Sequence, residues 1–179
     1  TAIILAFILP PTAAQGQRTI SITDFGADGN GITVNTAAIQ RAIDATAKTG
    51  GGKVIIPAGR FVTGALLLRS GVELHFTGNA VLMGSTNRLD YGKAKALIVA
   101  DGEKNIAITG KGTLDGSATN DTWWALGRLR GPDIKGSAQL IQMGETNVPV
   151  EQRVFGATGS LRPNFVVPNR CKNILIEGV

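Results

Sequence analysis

The 179-residue sequence predicts an all-β solenoid: short strands stacked rung on rung and closed at one end by a single helix. Three observations carry this. First, between Gly50 and Ser85 the apolar runs Val54–Ile56, Ala65–Leu68, Val72–Phe76 and Ala80–Met83 are separated by Gly, Pro, Asn or Ser. Each run is too short for a globular helix and rich in Val, Ile and Leu, the pattern of strands joined by tight turns. Second, one strand-turn unit recurs. Asn105-Ile-Ala-Ile-Thr-Gly110 returns as Asn173-Ile-Leu-Ile-Glu-Gly178, and Val72-Glu-Leu-His-Phe-Thr-Gly78 has the same alternation before its glycine. Such recurrence marks a solenoid. Third, 24 glycines with only 5% aromatic residues suit a thin, repetitive stack better than a thick mixed core. A sandwich or barrel would show regular hairpin spacing, and two-residue hairpin turns are few here.

Taken in order, the chain opens with the apolar run Ala2–Leu9, ended by Pro10 and Pro11 and followed by the small residues Thr12–Ala14. Residues 1–14 read as the apolar region and cleavage site of a secretory signal peptide, lacking its initiator Met and basic start, with cleavage before Gln15. The run is shorter than the ~20 residues a membrane-spanning helix needs. A buried strand or helix at the domain edge is the other reading. The signal implies a secreted or periplasmic protein.

Ile20–Phe25 alternates apolar and polar side chains and reads as a strand. Gly26-Ala-Asp-Gly-Asn-Gly31 then reads as turns, because glycine accepts positive φ at no steric cost. It lacks the repeated ligands and closing Glu of an EF-hand loop. Asn35 is placed to cap a helix over Thr36–Lys48, with Ile39, Ile43, Ala42 and Ala47 on one narrow face and Gly50 closing its C-terminus. That helix cannot fold alone and is expected to plug one end of the strand stack. Gly50-Gly-Gly-Lys53 is not a phosphate loop, since no Ser or Thr follows the lysine and the glycines come after a helix. Beyond the polar stretch Asn87–Lys95, Leu97–Val99, Asn105–Ile108 and Asn173–Ile176 restore the strands. Asp115–Leu161 is expected as a long corner insertion, and Asn120-Asp121-Thr122 within it fits a glycosylation sequon. It carries both tryptophans, Trp123 and Trp124. On an extended segment they point to opposite faces, so one is free to stack on a sugar, although packing of both into the core or a corner is the favoured expectation.

The formal net charge of +5 permits an acidic partner, but the basic residues are scattered, the longest cluster being Arg128, Arg130 and Lys135. No nucleic-acid partner is expected. One cysteine, Cys171, and one histidine, His75, exclude a disulfide framework within the sequence and a metal cluster built on His and Cys. Cys171 is expected half-buried or buried. His75 alternates with Leu74 and Phe76 and is expected to point outward. There is no nucleophile elbow. Asp24, Asp28, Asp115 and Asp121 adjoin turn residues, Asp44 lies on the helix, and Asp101 and Glu103 flank a turn. None forms a convincing catalytic pair.

Several motifs together resemble a known family. They are Ile22-Thr-Asp-Phe-Gly-Ala-Asp-Gly-Asn-Gly-Ile-Thr33, Asn35-Thr-Ala-Ala-Ile-Gln40, Gly50-Gly-Gly-Lys-Val-Ile-Ile-Pro-Ala-Gly59, Gly64-Ala-Leu-Leu-Leu-Arg-Ser-Gly-Val-Glu-Leu74, Gly110-Lys-Gly-Thr-Leu-Asp-Gly116, Trp123-Trp124 and Leu161-Arg-Pro-Asn-Phe165. The first is shared by pectate-lyase-superfamily proteins at large. The combination is similar to glycoside hydrolase family 28, the polygalacturonases, over residues 19–179. Val34 stands where an Asp is common in that family.

The resemblance implies a right-handed parallel β-helix with an N-terminal capping helix, residues 15–179 being the N-terminal part of a single domain. It also implies inverting hydrolysis of α-1,4-galacturonosyl bonds, pectin or polygalacturonate as substrate, no cofactor or metal, and a monomer at full length. The family's Asn-Thr-Asp, Asp-Asp and Gly-His-Gly motifs do not occur in the sequence, and Arg170-Cys171-Lys172, though of the form Arg-x-Lys, does not follow them as the family's motif does. No catalytic residue can therefore be carried over, and the fragment alone is expected to be inactive. Arg162 is the single candidate for substrate binding, as a guanidinium able to pair with a galacturonate carboxylate; a structural ion pair is an equal reading. A pectate or rhamnogalacturonan lyase and a non-catalytic polysaccharide-binding β-helix module remain alternatives, because fold alone does not choose among them.

Overall fold

The computed structural model describes residues 18–92, 94, 96–126, 132–153 and 161–179. The signal-peptide expectation for residues 1–14, with its cleavage point, lies outside the described residues, as do Arg128 and Arg130. In chain order the strands are β1 (Thr19–Ser21), β2 (Asn30–Val34), β3 (Gly52–Ile56), β4 (Gly59–Thr63), β5 (Leu66–Leu67), β6 (Val72–Phe76), β7 (Ala80–Gly84), β8 (Ala96–Asp101), β9 (Lys104–Gly110), β10 (Thr113–Asp115), β11 (Asn164–Asn169) and β12 (Lys172–Glu177). The helices are α1 (Thr36–Lys48), α2 (Trp123–Leu126) and α3 (Pro132–Glu145).

The strands form three sheets in which every pairing is parallel. The first runs β1-β3-β6-β9-β12, the second β2-β4-β7-β10 and the third β5-β8-β11. Consecutive strands fall in different sheets, so the chain winds around a common interior. Each sheet contributes an inward column set by its register: Val54–Leu74–Ile108, Phe61–Leu82–Leu114 and Leu66–Ile98–Val166. Val54, Leu74, Leu82 and Leu66 are fully buried. Full burial of such a side chain contributes about 2 kcal/mol, and the alternation that aims them inward is the one visible in the sequence.

The recurring unit corresponds to one rung. Asn105 and Asn173 open it with φ of 54° and 56°, and the Asn173 Nδ2 donates to Asn105 Oδ1 at 2.8 Å. Gly110 closes the first copy at φ 127°, where a Cβ would lie 2.0 Å from the Phe76 carbonyl oxygen. Only glycine allows that stacking. The repeat lacks a clean period because the rungs differ in length: 34 residues separate His75 from Thr109, and 68 separate Asn105 from Asn173.

Helix α1 buries Ala38, Ile39, Ala42, Ile43 and Thr46 and packs on β1, β3, β5 and β6, as expected of a plug. Its C-terminus is a Schellman closure: Gly50 N–H donates to Ala47 O and Gly51 N–H to Thr46 O. Its N-terminus differs from expectation. Asn35 makes no side-chain cap bond. Instead its Oδ1 accepts from Asp28 N–H at 2.7 Å, and its Nδ2 donates to the carbonyls of Asp28 and Thr33. The buried amide therefore holds the preceding loop rather than the helix.

Other differences have local causes. The expected strand Ile20–Phe25 ends at Ser21, because Ser21 and Asp24 form a capping box and Ile22–Phe25 becomes a 3-10 turn. Strands β2, β4 and β10 lie where no strand is expected. In β2 the large side chains Ile32 and Val34 face outward, and Asn30 Oδ1 takes the N–H groups of Ile32 and Thr33, so the strand carries a turn-like composition. The expected long corner loop contains α2 and α3. Cys171 is a half-buried free thiol, as expected.

At the far end of the stack the alternation persists but burial is lost. In β12, Ile174, Leu175 and Ile176 are all exposed, Ile176 at 52%, whereas its inward-column neighbour Ile108 is 2% exposed.

Candidate functional site

The outward face of the third sheet carries the column Leu67–Val99–Val167. With Leu89 and Tyr91 it walls a groove of about 780 Å³ whose polar rim includes Asp90, Asp101, Asn164 and Asn169. A second recess, of about 460 Å³, lies between the insertion and the start of β11. Its lining includes Trp123, Trp124, Leu140, Arg162 and Phe165. Tyr91 and Asn164 line both, so the two recesses meet at these residues.

Tyr91 is the hinge of this arrangement. Its hydroxyl donates to the Ser85 carbonyl at 2.9 Å. Its ring meets that of Trp123 edge-on, with centroids 5.7 Å apart. Burial, with a smaller contribution from the Asp90 charge, pushes its phenol up to about 12. It therefore acts as a neutral hydrogen-bond donor across the ordinary pH range. The segment that carries Arg162 is tied down by Arg88, whose Nη2 donates to Leu161 O at 3.0 Å.

The two tryptophans separate. On the helical turn α2 adjacent side chains project about 100° apart, so Trp123 turns inward at 7% exposure while Trp124 stays 54% exposed on the cleft wall. This corrects the expectation that both pack into the core or a corner.

The acids bordering the groove are already committed. Asp101 takes a two-pronged bond from Arg170, Nη2 to Oδ2 at 2.7 Å and Nε to Oδ1 at 3.0 Å, plus one from Asn169. The Arg170 hydrogen bonds hold its carboxyl below the usual range. That is the opposite of what a general acid requires. Asp90 accepts the Ser85 hydroxyl and lies in the turn Arg88–Tyr91, which Asn87 caps by accepting the Leu89 N–H. Asp24 and Asp115 bind backbone N–H groups of Ser21 and Ser117, and Asp28 takes the Asn30 amide, in the structural roles their turn positions suggest.

His75 points outward, on the face of the first sheet and away from this site. There it meets Thr109 at 2.8 Å, while the Thr109 hydroxyl donates to Glu73 at 2.6 Å and Lys53 pairs with Glu73 at 3.1 Å. Burial works to raise the Glu73 carboxyl; the bonds from Thr109 and Lys53 and the charges of Lys53 and His75 outweigh it and hold the carboxyl low. Among the described residues, no three His, Cys, Asp or Glu side chains gather as a metal-binding group. No described helix is long and apolar enough to cross a membrane.

Arg162, the sequence candidate, sits exposed on the cleft wall. Sequence reasoning missed Tyr91, Leu140 and Phe165 as its neighbours. The one available signal was the chain's single tyrosine, standing in a polar stretch.

Residues 19–123 match the family model described as rhamnogalacturonase A/epimerase, pectate lyase-like. The exo-poly-α-D-galacturonosidase of Dickeya chrysanthemi is 40% identical over 126 residues, 59% of this chain and 21% of that protein. The exopolygalacturonase of Thermotoga maritima superposes with a TM-score of 0.82 at 36% identity, over 92% of this chain and 41% of that one. The family 28 exopolygalacturonase of Yersinia enterocolitica superposes with a TM-score of 0.64 at 28% identity, over 91% and 34%. The chain thus spans about a fifth of the first relative and about two fifths of the Thermotoga structure. These matches bear out the resemblance drawn from the motifs, and the fold is the right-handed parallel β-helix that it implies.

Proposed function

Because the chain belongs to the rhamnogalacturonase A/epimerase, pectate-lyase-like family, we propose that the protein is a polygalacturonase-type glycoside hydrolase. It cleaves α-1,4-galacturonosyl bonds of pectin-derived polygalacturonate with inversion. The observation that carries this reading is the superposition on the Thermotoga exopolygalacturonase over 92% of the chain. The groove on the third sheet supports it, being a recess of about 780 Å³ with a polar rim. The apolar run Ala2–Leu9 supports action outside the cytoplasm, where such a polymer is met.

Inversion needs an acid and a base whose carboxyls stand roughly 6.5–9.5 Å apart, leaving room for a water. Asp90 and Asp101 are unsuited to that pair, each being tied to protein donors. We assign the acid–base pair to residues outside the described ones. What the described residues contribute is the stack and the groove on its third sheet. On this reading the 179-residue chain binds but does not turn over.

The test is a product assay on polygalacturonate, rhamnogalacturonan and neutral galactan, using the full-length protein. The reading expects new reducing ends from polygalacturonate without the ultraviolet-absorbing unsaturated ends of β-elimination. Unsaturated ends would make it a lyase. Cleavage of rhamnogalacturonan alone would move the substrate to the other polymer that the family description names. No product from any of the three would leave a binding module.

A further inference from the structure

We propose that Asn30 is a site of spontaneous deamidation, and that the buried Asn35 holds the loop which keeps it intact in the folded protein. The reaction is a cyclisation followed by hydrolysis. The Gly31 backbone nitrogen, giving up its proton to water, attacks Asn30 Cγ. A C–N bond forms, the Cγ–Nδ2 bond breaks, and Nδ2 takes up a proton and leaves as ammonia. Water then opens the succinimide ring at either carbonyl, giving aspartate or isoaspartate. This chemistry is independent of the hydrolase reading above.

Three observations carry it. The first is the place of the dipeptide. Asn30-Gly31 is the one asparagine in the sequence followed by glycine. Without a Cβ, glycine leaves its amide nitrogen uncrowded and its backbone free to turn into the attacking geometry. Asn30 is exposed, and β2 is an edge strand of its sheet. That strand pairs with β4 at Asn30–Arg60 and Val34–Val62 with a register shift between them, and Ile32 stands 82% exposed there. The residues that must move thus lie at a weakly held edge, where local opening costs least.

The second is the state of the Asn30 amide. Its Oδ1 accepts from the N–H groups of Ile32 and Thr33, each at 2.8 Å. Its Nδ2 donates to Asp28 Oδ2 at 2.8 Å and to Thr33 Oγ1 at 2.9 Å. All four hydrogen-bonding positions of the side chain are in use. Attack makes Cγ tetrahedral and turns the group out of the plane that these bonds hold, so cyclisation waits on opening of the loop.

The third is Asn35, buried at 3% exposure. Its Oδ1 accepts the Asp28 N–H, and its Nδ2 donates to the carbonyls of Asp28 and Thr33. Asp28 and Thr33 are also the residues that receive the Asn30 Nδ2. One buried amide therefore fixes both acceptors of the exposed one. The Asn35 N–H in turn donates to the Val62 carbonyl at 2.7 Å, tying the loop to β4. Deamidation sets a second carboxylate against that of Asp28, an unfavourable like-charge contact. In the isoaspartate form it also adds a main-chain methylene inside β2.

The experiment follows conversion at Asn30 by peptide-mapping mass spectrometry during incubation at mildly alkaline pH. It compares the 179-residue chain, its Thr33→Val and Asn35→Ala variants, and a synthetic peptide of residues 26–36. Each protein is also incubated in urea, and circular dichroism reports which are folded without it. The wild type should convert at least about ten-fold more slowly than the peptide, which corresponds to a local opening free energy of about 1.4 kcal/mol. Thr33→Val removes one surface acceptor and should convert several-fold faster than wild type. Asn35→Ala should approach the rate of the peptide, and all three proteins should agree in urea. Native wild type that converts as fast as the peptide, or faster, overturns control by the fold. Folded variants that convert no faster than wild type overturn the guarding role of the loop and of Asn35. Absence of conversion in the peptide and in urea overturns the site itself. Thr33→Val, a surface change, keeps the test decisive should Asn35→Ala fail to fold.

Discussion

The ring of Trp123 stands at 90° to that of Tyr91, with centroids 5.7 Å apart, and this contact joins the insertion to the stack. Trp123→Ala should lower stability by about 3–5 kcal/mol, the range for losing a buried aromatic. Tyr91→Phe keeps the ring and loses only the bond to the Ser85 carbonyl, about 1 kcal/mol. Urea titration separates the two; equal losses would mean that the hydroxyl, not the ring pair, secures the insertion.

Close stacking of rungs depends on glycines, Gly51 and Gly110 among them. At Gly51, φ is 109° and a Cβ would sit 2.5 Å from the Gly71 carbonyl oxygen; at Gly110 the corresponding distance to Phe76 is 2.0 Å. Alanine at either position should cost at least about 2 kcal/mol, from strain and displaced backbone together. Gly26, at φ 86° with open space around it, should tolerate alanine better than either. Thermal midpoints of the three variants check the order.

Glu73 makes stability pH-dependent in one direction. Its folded-state pKa lies below the usual 4.5, so the unfolded chain binds its proton more readily. The stabilisation is therefore complete above the unfolded value and is lost as pH falls through the folded one. Glu73→Gln should be less stable than wild type at neutral pH, and the two should converge as the pH falls through the lowered folded value. A difference that grows on acidification would contradict the Lys53–Glu73–Thr109 arrangement.

The strand β12 leaves Ile174, Leu175 and Ile176 exposed along a parallel edge. Apolar, unpaired edges favour strand-to-strand association. The 179-residue chain should self-associate at micromolar concentration, and Ile176→Lys should shift it toward monomer in light-scattering measurements. A wild-type monomer at all concentrations would refute this.

Much of the stack was legible because the buried Leu74 alternates with outward Glu73 and His75, and Gly, Pro, Asn or Ser punctuates the short apolar runs. β2 was not, because Ile32 and Val34 project outward and invert the expected pattern. Ile20–Phe25 does alternate, but the local Ser21–Asp24 bonds end the strand after two of those residues. Helix α3 was hidden by its weak sidedness: Ile134 and Ile141 are both exposed, and Gly136 and Gly144 interrupt it. The setting of Arg162 could not be read either. Its neighbours Trp124, Leu140 and Tyr91 come from separate stretches and meet only through the 68-residue rung. Asn35 shows the same limit in small: a cap residue by type, it is turned by tertiary contacts to hold Asp28.

The central claim is that this stack is the scaffold of an inverting polygalacturonate hydrolase. Proton NMR of the first product released from polygalacturonate by the full-length protein tests it most directly. The account predicts a β-configured anomeric signal appearing before mutarotation. An α-configured first product, or a signal from an unsaturated sugar, would contradict it.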